Sequence, residues 1–322
     1  MSESYFSDQF GTVHRLESDW RDALHTNWRS MLKPQSIKPY TKESALALVK
    51  QNFDKLVGIE NFLNLQGFTF IDKNVAEIGA HAGGMTYTIA LAGANSVLGT
   101  DVAKYYINQD PFKNQNLDEI KTKNKELDRA RQSLKDSIAE HDNASTEKVK
   151  FIEDDIATTQ IEGSSLDVVV SFETLEHLID PLASFHQMYK ILKPGGIAFH
   201  EYNSFFSIGG GHSLASAEFA WGHARLSSDD FSRMVKETRP DQFDISMRFY
   251  NNALNRMSFN DLEQIIDETN FSLKQLIPFP QIEHLSLVSP QILEECKRIY
   301  PSLELKDLIS PYAWVLIEKP MN

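Results

Sequence analysis

Residues 75–101, VAEIGAHAGGMTYTIALAGANSVLGTD, constrain the fold more than any other stretch of the chain. Val75-Ala76-Glu77-Ile78 is a short apolar run of the kind that forms a buried parallel strand. Gly79, Gly83 and Gly84 break the run, and Met85 to Ala92 has the composition of a helix. Val97-Leu98-Gly99-Thr100 reads as the next strand, and it ends on Asp101. Strand, glycine turn, helix, strand and acid make a βαβ unit with a ligand-binding turn. Glycines let the backbone turn sharply and lie against a ligand. The helix N-terminus offers unsatisfied N–H groups to an anionic end. An acid ending the second strand can accept both hydroxyls of a ribose. A dinucleotide fingerprint would need glycine at 79, 81 and 84, and His81 stands in the middle.

The remaining composition narrows the class. The chain has 322 residues, 41% hydrophobic and 24% charged, which suits a soluble globular protein with a sizeable core. A net charge of −13 argues against a broad nucleic-acid-binding face. The single cysteine, Cys296, excludes an intrachain disulfide and a cysteine-rich zinc site. There is no apolar run of bilayer length, and the start MSESYFSDQFG is too polar for a signal peptide. A cytoplasmic enzyme without membrane or nucleic-acid partners is expected.

Along the chain, residues 1 to about 12 read as loosely structured. Leu16, Trp20, Leu24, Trp28, Met31 and Leu32 have helical spacing, with Pro34 and Pro39 as a break. Thr41 is placed to cap a second helix with a broad apolar face from Ala45 to Phe62. Residues 1–66 are therefore expected to be an N-terminal helical segment. From Asn116 to Asp142 a charged stretch carries a thin stripe of Leu117, Ile120, Leu127, Leu134 and Ile138. It reads as exposed helix, either a solvated face or a homodimer contact. Strands follow at Val149–Ile152, Leu166–Ser171 and Ile197–Tyr202, with a helix from the cap pair Asp180-Pro181 to Leu192. Residues 203–257 interrupt this pattern as a lid-like insertion. Ser258 then caps a helix to Asp267, and strands are expected at Phe271–Ile277 and Ala313–Glu318, with helix between Pro290 and Leu308. This β/α alternation predicts a parallel, doubly wound sheet.

Five motifs now stand in order. They are Glu77-Ile78-Gly79-Ala80-His81-Ala82-Gly83, then Asp101, then Asp154-Asp155, then Ser171 to Leu178 with Asp180-Pro181, then Leu192-Lys193-Pro194-Gly195-Gly196. The set resembles the class I S-adenosylmethionine (SAM)-dependent methyltransferases, in the branch of the ubiquinone-biosynthesis O-methyltransferases. The likeness covers roughly residues 70–202 and, more weakly, 258–277. It implies an α/β fold with a Rossmann-like seven-stranded sheet, placed in a domain over residues 67–322. It implies SAM as cofactor, held by Glu77, Gly79, Ala80, His81, Gly83, Asp101, Val102, Asp154, Asp155, Ile156 and Phe172. Asp101 would take the ribose hydroxyls, and Asp155 or Asp154 the adenine amino group. Ile156 would pack on the adenine ring.

Glu173, Glu176 and His177 form an E-x-x-E-H array at the end of the fourth strand. The resemblance allows two readings. In many members this region only lines the pocket. In the ubiquinone O-methyltransferases and the small-RNA 3′-end methyltransferases such an array binds a divalent metal, Mg²⁺ or similar, and His212 or His223 is a candidate further ligand here. Two carboxylates and an imidazole suit a hard or borderline cation. Methyl transfer is an in-line displacement in which positioning supplies much of the acceleration. A hydroxyl acceptor must also lose a proton, which suits a histidine. His212 and His223, in the insertion, are the candidate catalytic bases, with His81 third. Trp221, Phe205, Phe206, Phe219, Phe231, Phe249 and Tyr250 form either a substrate wall or a satellite core. Arg225, Arg239 and Arg248 either hold a substrate anion or make ion pairs. The expected reaction is methylation of an oxygen on a small-molecule acceptor, a sugar or secondary metabolite. N- or C-methylation and a non-catalytic SAM-binding subunit are the rivals.

Overall fold

The structure, a computed structural model, describes residues 4–26, 28–33, 36–102 and 117–321. Its strands are β1 (Ser4–Ser7), β2 (Val13–Leu16), β3 (Asn74–Ile78), β4 (Ser96–Asp101) and β5 (Val149–Glu153), followed by β6 (Leu166–Phe172), β7 (Leu192–Asn203), β8 (Ser272–Pro278) and β9 (Tyr312–Glu318). The last seven form one sheet in the order β5-β4-β3-β6-β7-β9-β8. Neighbours from β5 to β7 are parallel, while β9 runs antiparallel to both β7 and β8. This is the Rossmann-like doubly wound α/β sheet that the motifs imply. β3 pairs with β4 on one side and β6 on the other, so the strand order reverses there. That reversal opens a crevice beyond the strand C-termini, where ligands bind in open α/β sheets.

The central strands are apolar because helices cover both faces. Helices Lys42–Leu65 and Gly84–Leu91 pack Leu56, Ile59, Met85 and Ile89 against Val75, Val170 and Phe199. Helices Pro181–Ile191 and Phe259–Glu268 pack Phe185, Met188, Leu262 and Ile266 against Ala76, Val169 and Val315. Local signals set the helix starts. Thr41 and Ser44 form a capping box, as do Ser258 and Asp261, and the Asp180 side chain accepts from the Ala183 amide.

The N-terminus differs from the expected loose start and long helix. β1 and β2 form a hairpin, followed only by the short helix Trp20–Leu24 and a 3-10 turn at Trp28–Leu32. The Asp8 carboxylate closes the hairpin. It accepts from the Phe10 and Thr12 amides at 2.9 and 2.8 Å and pairs with His14 Nε2 at 3.0 Å, while Gly11 takes φ +77°. Phe6 is buried against the insertion, and the Glu17 amide donates to the Glu218 carbonyl. Hydrophobic spacing at 16–32 thus serves three short elements docked on one surface. Pro34 lies outside the described residues.

Helix Leu117–Thr146 is kinked at Asp142 (φ −148°, ψ 84°), and Leu127, Leu134 and Ile138 are buried. The side chains of Leu117 and Ile120 lie outside the described residues. β7 begins at Leu192, five residues earlier than its apolar run suggests, because Leu192 already pairs with Leu166; Lys193-Pro194-Gly195-Gly196 then bulges, with Gly195 at φ +76°, before Ile197 pairs with Val168. The insertion 203–257 is a packed unit rather than a loose cover. Its helices His212–Ala215, Gly222–Arg225, Ser228–Thr238 and Phe243–Asn252 enclose Phe205, Phe206, Trp221, Phe231 and Tyr250, none of them exposed. Cys296 and Leu308 from the C-terminal helices, and Leu303 from the turn between them, complete that core. Among the described residues no helix is long and apolar enough to cross a membrane.

Candidate active site

A cavity of about 590 Å³ opens at the C-terminal ends of β3, β4 and β6, where the strand order reverses. Gly79, His81, Asp101, Val102, Asp154, Asp155, Ile156, Phe172, Glu173, Glu176, His177 and His212 all line it. Residues separated by more than a hundred positions in the chain are brought together by the ends of four strands, β3 to β6, and by the segment that carries His212.

The glycine turn shapes the floor. Gly79 has φ +76°, and a Cβ there would collide with the Thr174 side chain. The amides of Gly79 and Ala80 donate to the Thr100 carbonyl at 3.0 and 2.9 Å, locking the turn to β4. His81 occupies φ +43°, and its amide donates to Asp101 Oδ2 at 2.8 Å. Asp101 Oδ1 accepts from the Val102 amide at 2.9 Å. Two backbone donors thus orient the carboxylate that ends β4.

Three of the residues expected to hold cofactor lie outside the cavity lining. Glu77 is buried behind the turn, where its Oε2 accepts from Thr86 Oγ1 at 2.5 Å. Burial raises its carboxyl to about 7. Ala80 is buried beside Gly99. Gly83, at φ +85°, caps helix Gly84–Leu91, and a Cβ there would strike the Phe151 ring. These residues hold the shape of the turn from behind, because the chain curls so that their Cα positions face the core.

The two acids after β5 differ in what they already bond. Asp155 Oδ1 caps the turn Ile156–Thr158 by accepting from the Ala157 amide at 3.0 Å. Asp154 Oδ1 accepts from the Gln160 amide at 3.1 Å, but its Oδ2 is buried with no partner among the described residues. Of the two acids that the sequence leaves open, Asp154 therefore keeps an acceptor for a ligand amino group. Ile156 is buried beside them.

At the other end of the cavity, Glu176, His177 and His212 each offer a ligand atom within 4.8 Å of the others. Glu173 lines the same cavity, at φ +51°, but stands outside this cluster; His212 takes the third place. Glu176 is 1% exposed, and neither carboxylate oxygen makes a hydrogen bond of sound geometry among the described residues. Burial raises its carboxyl to about 8. His177 Nδ1 lies 2.6 Å from the Ala253 carbonyl. A carbonyl only accepts, so Nδ1 carries the proton and the lone pair sits on Nε2. His212 takes φ +50°, and its ring lies 5.4 Å from His177 and 5.8 Å from Phe249. Burial lowers the His212 imidazole to about 3, so it is neutral at physiological pH.

His223 departs from its expected role as a base. It is 1% exposed and outside the cavity lining, with Nε2 shared between the carbonyls of Phe205 and Ser207 at 2.9 and 3.1 Å. Its proton ties helix Gly222–Arg225 to the start of the insertion, just after β7. Of the aromatic residues, Phe249 touches His212 whereas Trp221, Phe205, Phe206, Phe231 and Tyr250 are core. Arg225 pairs with Glu295 at 2.7 Å and Arg239 with Glu218 at 2.6 Å, so both serve the core of the insertion. Thr174 was not singled out from the sequence. It fills the space left by Gly79 and donates to the Phe172 carbonyl at 2.9 Å; its signal was its place inside the E-x-x-E-H run.

Comparison with known proteins adds a domain match. Residues 76–200 match the family model described as a methyltransferase domain. No curated protein matches the chain. Solved structures similar to it include a SAM-dependent methyltransferase from Mesorhizobium loti, 13% identical, with 80% of this chain and 96% of that one covered and a TM-score of 0.45. Another is a SAM-dependent methyltransferase from Methanosarcina mazei, 13% identical, covering 80% and 97% respectively with a TM-score of 0.43. The matched segment contains the glycine turn, Asp101, the Asp154-Asp155 pair and the E-x-x-E-H array, and the chain is accordingly a methyltransferase enzyme that uses SAM.

Proposed function

We propose that this methyltransferase transfers its methyl group to an oxygen of a small molecule, a sugar or secondary metabolite, with a divalent cation held by Glu176, His177 and His212. The observation that carries the reading is the buried Glu176 carboxylate, approached by Asn203 but with no hydrogen bond of sound geometry among the described residues, grouped with two imidazoles at the end of the donor cavity. A buried carboxylate so weakly paired is costly, and a cation supplies the missing counter-charge. The His177 hydrogen bond to Ala253 fixes the ring with Nε2 as the electron-pair donor, the usual support for a ligating histidine. Burial keeps His212 neutral, which a ligand requires. When bound, such a cation lowers the pKa of a coordinated hydroxyl and orients it.

In the rest of the cavity, Asp101 takes the ribose hydroxyls of SAM, held for that task by the His81 and Val102 amides. Asp154, through Oδ2, accepts from the adenine amino group, and Ile156 packs on the ring. A second, metal-free reading rests on the raised Glu176 pKa. Protonated at neutral pH, Glu176 would donate a hydrogen bond to the acceptor oxygen. Elemental analysis and activity in excess chelator separate the two. The cation reading expects bound metal and loss of turnover restored by Mg²⁺ or Mn²⁺. Full activity without metal leaves only the second.

A further inference from the structure

A second cavity, of about 740 Å³, shares His212 with the donor cavity. Its walls come from three parts of the chain. His25 and Trp28 come from the N-terminal segment, Asn203 ends β7 with Ser207 and Gly209 after it, and Gln281 and His284 sit beyond β8. Although 24% of the chain is charged, none of the lining residues is Asp, Glu, Lys or Arg among the described residues. Burial lowers the His25 imidazole to about 4 and lowers His284 as well, so the lining is neutral at physiological pH. Arg21 stacks on Trp28 at 3.8 Å, but its guanidinium donates to Ser213 O and Gln242 Oε1 and stays out of the lining.

The wall is built onto the cluster. His25 Nε2 donates to Ser216 Oγ at 2.8 Å, and Ser216 Oγ donates to the His212 carbonyl at 2.5 Å. This relay helps hold His212 in its left-handed conformation between the two cavities. His284 Nδ1 is buried with no hydrogen bond among the described residues, and so has bonding capacity to offer an occupant.

We infer that this second cavity is the acceptor chamber and that it takes an uncharged, polyhydroxylated molecule of the sugar type, whose reacting hydroxyl reaches the donor cavity beside His212. The inference rests on the O-methyl transfer proposed above and names its substrate class. Amide, hydroxyl and imidazole groups match sugar hydroxyls, while Phe249 offers an apolar face to C–H bonds. A phosphate or carboxylate entering this chamber would lose hydration and find no counter-charge. In the transfer, the S–CH₃ bond of SAM breaks with its electron pair left on sulfur. The O–CH₃ bond forms, and the hydroxyl proton leaves to water.

Gly209 allows a clean test, because a Cβ there would meet only His25 Cε1, at 3.8 Å. The full-length protein is titrated with methyl α-glucopyranoside and myo-inositol as neutral probes, and with glucuronate and glucose 6-phosphate as charged ones. Binding is read by saturation-transfer NMR, with and without S-adenosylhomocysteine. The neutral probes are expected to bind and the charged ones not. Gly209→Leu should abolish that binding, whereas Gly209→Ala keeps it, and unchanged calorimetric SAM binding shows that Gly209→Leu is folded. Gln281→Trp, at an exposed rim position, is a second block expected to weaken the same probes. Failure of every neutral probe, equal binding of the charged ones, or neutral binding that survives both blocks overturns the inference. Failure of the wild type to bind SAM overturns the methyl-transfer reading instead, while probe binding still reports on the chamber.

Discussion

At the scale of single residues, Asp101 and the pair His212/His223 make the sharpest tests. Asp101 presents its carboxylate to the cavity with two backbone amides holding it, so Asp101→Ala should weaken SAM binding by about 1–3 kcal/mol in calorimetry without unfolding the protein. Unchanged affinity would move the ribose contact elsewhere. The two histidines of the insertion should separate. His212→Ala is expected to cut kcat by roughly 10²-fold or more while SAM affinity holds, since it lines the cavity and faces His177. His223→Ala removes a buried donor to two carbonyls and should appear as lost stability, on the order of 1–3 kcal/mol in urea, with a small effect on kcat. A large kcat loss in a stable His223→Ala would return that residue to the chemistry. From sequence both histidines looked alike, because each sits in the insertion near glycines. What separates them is which way the backbone turns, and that depends on long-range packing against Phe205 and Phe249.

At the scale of elements, the glycine turn shows which parts of a motif touch ligand and which shape it. Gly83 sits at φ +85° with Phe151 where a side chain would project. Gly83→Ala should therefore destabilise the fold by roughly 1–3 kcal/mol, with SAM affinity falling only as the turn distorts. An urea midpoint equal to wild type would show that Phe151 can move aside. The β/α core was legible in the sequence because buried parallel strands, capping pairs such as Asp180-Pro181, and a glycine turn are local signals. The N-terminal hairpin was not. Its register is set by Asp8 bonding to residues 10, 12 and 14, and by Phe6 and Glu17 docking on the insertion, more than two hundred residues away. The insertion hid its structure similarly. Its aromatic residues carry no clear period, because they face one another across four short helices and the C-terminal helices.

At the scale of the molecule, buried titratable groups set the response to acid. Burial lowers His25 and His223 to about 4, and His200 and His212 to about 3. A histidine with a depressed folded pKa binds its proton only on unfolding, so its contribution is present above the unfolded value near 6.5 and is lost as pH falls. Glu77 and Glu176 act oppositely, raised to about 7 and about 8, because they hold protons in the folded state that the unfolded chain releases above about 4.5. Between pH 6.5 and 4.5 these histidines, joined by His14, His81, His177 and His284, which burial also lowers, outnumber the two glutamates, so unfolding takes up protons on balance. Stability of the ligand-free protein should thus fall gently to about pH 4.5 and more steeply below it, where the glutamates no longer offset the histidines. Urea midpoints measured across that range test this; a midpoint that rises on acidification contradicts it. The sheet order carries a different consequence, for biosynthesis. β9 is inserted between β7 and β8, which occur earlier in the chain. While the ribosome has yet to release residues 312–318, the cofactor half from β3 to β6 can assemble, but one side of β7 is an open template for any passing strand. A nascent chain stalled before Tyr312 should be the form most in need of a chaperone.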